Sequence, residues 1–482
     1  MSLTSLLNTG LSSLNAQMLA IEVTGENITN VNTPGYSRQT AMLVNAPTTL
    51  FRAFPMGNGV RVSAVQRTYD SFLQGQMMVA NSTSGQAKTV NSALQMVQPL
   101  FNELTTEGLG QTMQEFFSTW QDLAANPQGV PERQAVLSVG QQLVEDFHRI
   151  NTSLASVKDN MNQSLEQVTS DINDALKQIA QLNVSIKQIE IGQGVANELR
   201  DQRELVVRQL SEMVGVTFKD EADGSVSVNL TSGQSLISGK DAASLSLTTN
   251  VATGYYDVML TPPGGGAAVN ATAFVGGPAN SQGEIGGMLQ IRDTTINRYL
   301  ADLDELAYSL ANEMNAAHAA GYGLGGTQMD FFTPAAGTAP PVPAATAAGY
   351  SALIGINLTS ANQVAAASAA PAVGGTGNNL NALSIAALYN KTFSMSAGNA
   401  TPEAFYNSLV GKVGVDVQGA ERGESQTGAI VSQLNNQRES LTGVSLDEEL
   451  VNLTKYQKAY EGAARVINVG TEMMDTVLGL IR

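Results

Sequence analysis

Residues 143–189 read LVEDFHRINTSLASVKDNMNQSLEQVTSDINDALKQIAQLNVSIKQI. Apolar side chains recur there at every third or fourth position: Leu143, Phe147, Ile150, Leu154, Val157, Met161, Leu165, Val168, Ile172, Leu176, Ile179, Leu182, Ile186 and Ile189. That spacing is one face of an α-helix, and at 1.5 Å per residue it predicts a rod of about 70 Å. The drift between 3 and 4 suits packing in a bundle better than a strict coiled coil. Gly192 and Gly194 punctuate its end, and Asn197–Met213 repeats the pattern, so the two elements are expected to pair antiparallel. Residues 69–215 are read as helical throughout.

Outward from this rod, both ends of the chain carry heptad-like seams. Leu7, Leu11, Leu14, Met18, Ile21 and Ile28 space by 4 and 3, with Gly25 in the open slot. Leu446, Leu450, Leu453, Tyr460, Ala464, Ile467, Met474, Leu478 and Ile481 do the same, with Gln457 and Thr471 in the gaps. Such seams want a partner helix. Terminal segments fray unless tied down, and neither end has a globular neighbour in sequence. The reading is that the ends pair with each other and with other subunits.

Between the helices lie β segments. Asn32-Thr33-Pro34-Gly35 stops the first helix, because Thr33 precedes a proline and Pro-Gly suits the centre of a type II turn. Ser37–Val44 and Gly59–Val65 then alternate as short strands. Residues 216–284 turn to β character around a tight turn at Asp223-Gly224. Leu289, Ile296, Tyr299, Leu303, Leu306 and Leu310 return to helical spacing, and 320–378 is Gly/Ala/Pro-rich. Helix resumes near Leu380, with breaks at 391–402 and Gly443. The fold class is mainly α with β inserts, a multidomain α+β chain with paired terminal coiled-coil-like helices, a long antiparallel bundle and an outer β domain. The expected divisions are 1–35 with 444–482; a helical domain of 36–215, 285–319 and 379–443 with a β excursion at 37–66; a β domain at 216–284; and a second insert at 320–378, read as expendable.

Composition narrows function. Lys and Arg number 25 against 42 Asp and Glu in 482 residues, a net charge of −17. This argues against nucleic acid and against an anionic membrane surface as partners. Only 14% of residues are charged, so surfaces can meet other subunits with little charge desolvation. The absence of cysteine removes disulfides, thiolate metal sites and thiol nucleophiles. No apolar run is long enough for a transmembrane helix. Residues 1–37 contain no Lys or Arg before Arg38, so the start lacks the basic region of a secretory signal. That suits a cytoplasmic protein, or one exported with its N-terminus uncleaved.

Candidate chemistry is thin. Gly321-Tyr322-Gly323-Leu324-Gly325-Gly326 matches G-x-G-x-x-G, but follows a helix and enters low-complexity sequence, the wrong context for a dinucleotide. It reads as a flexible helix exit. His148 and His318, the two histidines, read as flank or cap residues. Glu448-Glu449 and Asp302/Asp304/Glu305 read as solvated charge on helix faces. Asp220–Gly224 lacks the spacing of a calcium loop. Trp120 sits among apolar residues at helical spacing and reads as core. No catalytic, cofactor-binding or metal-binding residue is assigned.

One segment carries a specific signature. Asn27-Ile28-Thr29-Asn30-Val31-Asn32-Thr33-Pro34-Gly35-Tyr36-Ser37-Arg38-Gln39 resembles the N-terminal motif of the bacterial flagellar axial proteins, the rod, hook and hook-associated family. The core of the match is Asn32, Thr33, Pro34, Gly35 and Tyr36; the continuation Ser37-Arg38-Gln39 resembles the hook-associated junction branch. Gly25-Glu26-Asn27 and Thr29 depart from the usual Asn-Asn-Ile-Ala-Asn pattern. Further agreement lies at Gly59–Val62 with Arg67–Leu73, at Phe116–Pro127, at Asp201-Gln202-Arg203 with Leu210-Ser211, and from Asn436 to Glu449. It is weak over 216–284 and 320–378. The resemblance implies a structural role without catalysis or cofactor: a secreted ring at the hook–filament junction of the flagellum. Export would be by a type III route with a chaperone. The partners implied are other copies of the chain, the hook protein and a second junction protein, hook-associated protein 3. The terminal helices would form an inner tube. Hook or distal-rod protein, and a flagellum-borne wall hydrolase, are the alternatives; the long bundle at 143–213 speaks against the first two.

Overall fold

The structure, a computed structural model, describes residues 3–51, 54–101, 108–192, 194–277, 282–333, 347–396 and 398–480. Helices dominate, and each sheet pairs two to four strands antiparallel. The long helix runs Val130–Ile191, 62 residues, or about 93 Å. It begins at Val130 rather than Leu143. Pro131 occupies its first turn, where a missing N–H is no loss, and Glu132 complements the free N–H groups there; apolar spacing registers neither. Leu143, Phe147, Ile150, Leu154, Leu165, Ile172, Leu176, Ile179 and Ile186 are fully buried, and the seam ends at exposed Ile189. The Asn197–Met213 helix folds back on it. Arg200 pairs with Glu190 at 2.7 and 2.8 Å, and Arg203 donates to Asn183 Oδ1 at 2.8 Å.

The chain divides into two compact units. The first comprises Met1–Gly85, Val168–Val275 and Gln426–Arg482. It contains the N-terminal helix Leu3–Thr29 and the C-terminal helix Leu446–Gly479. It also contains a hairpin of Gln39–Asn45 on Val60–Arg67, with a bulge after Met42. Its other β segments are the short pair Thr49–Phe51 and Phe54–Met56 and two meanders, one of four strands from Val216 to Ala242 and one of three from Ser244 to Asn270. Gly224, at φ +83°, makes the expected turn between Val216–Asp220 and Val226–Leu230. The sequence reading sets 216–284 apart as an outer domain; by contacts, its strands group with the terminal helices.

The second unit comprises Gln86–Gln167 and Gly276–Ser425. Its core is aromatic. Trp120 is fully buried, edge-on to Phe116, Phe331 and His318 with centroids 5.9–6.4 Å apart. His318 is therefore core rather than a helix cap. Its Nε2 accepts the Ala365 N–H at 3.0 Å, which leaves Nδ1 to donate to Met329 O at 2.5 Å. Burial pushes its pKa down from 6.5 to about 4. The unfolded chain thus takes up a proton below pH 6.5 while the folded one resists it until about pH 4. About 3 kcal/mol of stability is expected to drain away across that window. In His318→Gln the same acid titration of melting temperature should be flatter between pH 6.5 and 4.

The second insert is not expendable in this unit. Ile354, Val364, Ala365 and Ala366 are fully buried, and Arg133 donates to the Val364 carbonyl. Asp304 accepts the N–H groups of Gly349 (2.6 Å) and Ser351 (3.0 Å), and His148 bonds the Ile354 carbonyl at 2.9 Å. Tyr322 bridges to Ala367, and Leu324 N–H donates to Asn362 O at 2.9 Å, so the glycine-rich loop is packed rather than a flexible exit. Alanines bury well but leave no periodic signal. Residues 334–346 of the insert lie outside the described residues. Deleting 347–367 removes several buried side chains at roughly 1.5–3 kcal/mol each. Rapid proteolysis of the second unit is the expected result; a protease-resistant deletion variant would contradict it.

Candidate assembly interface

Where the terminal helices meet, a glycine of each faces a large side chain of the other. On the N-terminal helix the buried positions are Gly10, Ala16, Ala20, Val23, Thr24 and Asn27; on the C-terminal helix they are Glu449, Ala463 and Gly470. A Cβ on Gly10 would sit 2.6 Å from Ile467 Cγ1, and one on Gly470 would sit 3.0 Å from Leu7 Cδ2. The absence of a side chain is what lets the two backbones approach. The N-terminal helix also packs on the hairpin, where Gly59 (φ +91°) abuts Thr9 and Ser12. The ends thus pair with each other within the chain, as the sequence reading expects, and the hairpin gives the first of them a further partner.

This pairing splits the predicted seam. Leu7, Leu14, Ile21, Ile28, Leu453, Ile467 and Met474 are half-buried along the flanks of the pair. Leu11 (54% exposed), Met18 (56%), Leu450 (53%) and Leu478 (57%) stand in solvent, and Ile481 lies outside the described residues. Val451, Val466, Val469, Met473 and Val477 on the C-terminal helix are exposed as well. Single exposed apolar residues are ordinary, but runs of them along a helix mark an interaction surface. Gly10, Ala16, Ala20, Ala463 and Gly470 escaped the sequence reading because glycine and alanine add little to an apolar pattern. Heptad spacing from Ala463 to Gly470, and i,i+4 spacing from Ala16 to Ala20, were the available signal.

The motif after the first helix builds a clasp. Tyr36 N–H donates to Thr33 O at 3.2 Å with Gly35 at φ +86°, the turn expected of Pro34-Gly35. Asn32, Thr33 and Pro34 are exposed, while Gly35 and Tyr36 are half-buried. Asn27, 1% exposed, is the hub. Its Oδ1 accepts from Tyr36 OH and Gln39 N–H, both at 2.9 Å. Its Nδ2 donates to Gln39 O at 2.8 Å and to Glu449 Oε2 at 3.1 Å. Arg38 spans Glu448 and Glu449 at 2.8 Å each, and its N–H donates to Thr442 O at 2.8 Å. The start of the C-terminal helix is thus tied to the end of the N-terminal one. Behind it, Asp201 accepts from Ser37 N–H (2.9 Å) and Arg67 (2.8 Å), and Arg67 also pairs with Glu204.

Burial, reinforced by Glu26 and Asp201, lifts the Tyr36 phenol well above its ordinary range, so it stays a donor. Burial also lowers Arg203 and Arg208 to about 10, which leaves both charged at neutral pH. Removing one member of such a buried network costs about 3–5 kcal/mol. The turn itself is vulnerable. Gly35→Val places a β-branched residue at positive φ, at a cost of about 1–2 kcal/mol. It should abolish assembly while the second unit keeps its melting behaviour, and normal motility of the variant would contradict this.

The paired carboxylates are structural. Glu449 (2% exposed) and Asp304 (5%) are buried rather than solvated. Asp302 pairs with Lys412 at 2.9 Å, and Glu305 accepts from Ser396. Among the described residues, no group of three or more His, Asp or Glu could hold a metal ion, and no helix is long and apolar enough to cross a membrane.

Two helices from opposite ends of one chain, clasped at a turn and with large apolar residues exposed on their outer faces, define a protein built for contact with other subunits rather than for catalysis. Comparison gives the relatives. The model of the flagellar hook-associated protein FlgK helical domain matches residues 94–332. The flagellar basal body rod FlgEFG protein C-terminal model matches 437–480, and the flagella basal body rod protein model matches 7–36. Flagellar hook-associated protein 1 of Bacillus subtilis is 29% identical over 98% of this chain and 97% of its own length. That of Escherichia coli is 25% identical over 99% and 100%. In fold, the chain is similar to the flagellar hook junction protein FlgK from Burkholderia pseudomallei, with a TM-score of 0.66 at 16% identity, over 76% of this chain and all of that one. The chain is thus similar over nearly its whole length to flagellar hook-associated protein 1 of other bacteria, and each of the three matching models is a flagellar one.

Proposed function

We propose that the chain is a structural, non-catalytic subunit of the bacterial flagellum that forms a ring connecting hook to filament. The terminal helix pair lines the inner tube, and copies pack side by side through its outer faces. One ring surface meets the hook protein and the other meets a second junction protein, hook-associated protein 3. The subunit reaches that place by type III export, with a chaperone, and acts outside the cell. The observation that carries the reading is the row of exposed apolar residues left over on a helix pair whose mutual contact seats Ile467 against Gly10 and Leu7 against Gly470. Electron microscopy of a deletion strain tests it. Complete hooks without filaments, and flagellin free in the medium, are expected. Absent hooks would assign the chain to the rod or hook instead.

A further inference from the structure

Beside the Thr33–Tyr36 turn, within the first unit, lies a polar cavity of about 700 Å³ whose lining includes Asn81, Arg208, Gln209, Asn435 and Arg438. Arg208 is only 9% exposed, and its guanidinium makes no hydrogen bond among the described residues; its Nε is fully enclosed. The carboxylates that act on it, Glu204 and Asp201, are both already held by Arg67. Arg438 makes one long bond, 3.3 Å to Tyr36 O. Glu212 and Glu439 line the cavity as exposed residues, and neither is bonded to Arg208. The charged residues that line the cavity are two of each sign, but its two carboxylates are exposed while Arg208 is buried beside them without a hydrogen-bond acceptor among the described residues.

A buried donor without an acceptor is costly, so such groups are rarely left unpaired. The planar guanidinium fork matches a carboxylate, and Asn81, Gln209 and Asn435 supply further amide donors around it. We propose that this cavity is a socket for a carboxylate side chain carried by a second copy of the chain. The identity of the donor copy rests on the ring reading above. The socket is walled in part by exposed Asn32, Thr33 and Pro34, in the turn that ends one of the two helices along which copies would pack. The outer C-terminal helix offers exposed Glu472 and Asp475 beside its apolar residues.

The test has two arms. The purified full-length chain is melted in sodium succinate and in sodium chloride at equal ionic strength. Wild type should gain about 2–4 °C in succinate, and Arg208→Gln should gain nothing. Equal melting of wild type in the two salts, or an equal gain in the variant, overturns the anion site whatever the fate of the ring. If Arg208→Gln does not fold, Arg438→Gln replaces it, with a smaller succinate gain expected than in wild type. In the second arm a photo-crosslinking residue replaces exposed Asn32 in assembled flagella. A chain–chain adduct supports a second copy as the donor. An adduct with another protein, or none, overturns that assignment even where succinate binds. Because the first arm needs no assembly, failure of the socket and failure of the junction reading remain distinct.

Discussion

Replacing Leu478 by Asp is expected to yield a secreted, folded chain that cannot hold a filament on the hook. Leu478 is 57% exposed on the outer face of the C-terminal helix, so the isolated chain has little to lose there. In a ring, burying that side chain would contribute about 1.5–3 kcal/mol per copy. A buried carboxylate without a partner costs several kcal/mol more, and every subunit repeats the loss. The melting temperature should match wild type within a degree or two, while flagellin collects in the medium. A large drop in melting temperature would mean that the residue belongs to the chain's own core. Normal filaments would mean that this face is not an assembly surface.

Gly10→Leu is expected to fail for the opposite reason. Its Cβ alone would overlap Ile467, and the Ala463 carbonyl lies 3.6 Å away on the other helix. Overpacking of this kind costs about 1–3 kcal/mol. The contact is made within one chain, so the loss should already show in the monomer as faster hydrogen exchange over 3–29 and 446–480. Filaments should be lost too. The pair of variants separates the inner contact from the outer face: Gly10→Leu disturbs monomer and ring, Leu478→Asp the ring alone. Unchanged exchange in Gly10→Leu would place the helices further apart than described.

The large-scale order of elements was legible because long helices and short strands differ in apolar period. The Asn197–Met213 helix, the Pro34-Gly35 and Asp223-Gly224 turns and the break at Gly443 all stand where spacing and turn chemistry put them. What escaped was contact made by residues without a strong pattern. The seam leucines are visible in the sequence, but Gly10 against Ile467 and Gly470 against Leu7 are not, because glycine adds nothing to an apolar pattern. Within the Gly/Ala/Pro-rich insert, Val364, Ala365 and Ala366 are fully buried, which no apolar period announces. Asn27, Asp201 and Arg38 sat in stretches that carried the family resemblance. Their roles in the clasp depend on partners up to 422 positions away in the chain, beyond the reach of any local pattern.

The most direct test compares hydrogen exchange over 3–29 and 446–480 in the isolated chain with that in purified hook–filament junctions. A helix pair with part of its apolar surface in water should open more often in the monomer than when neighbours cover it. The expected result is partial protection in the isolated chain and much stronger protection of both segments in the junction. Equal protection in the two states would contradict the claim that the outer faces of the terminal helices are the assembly surface.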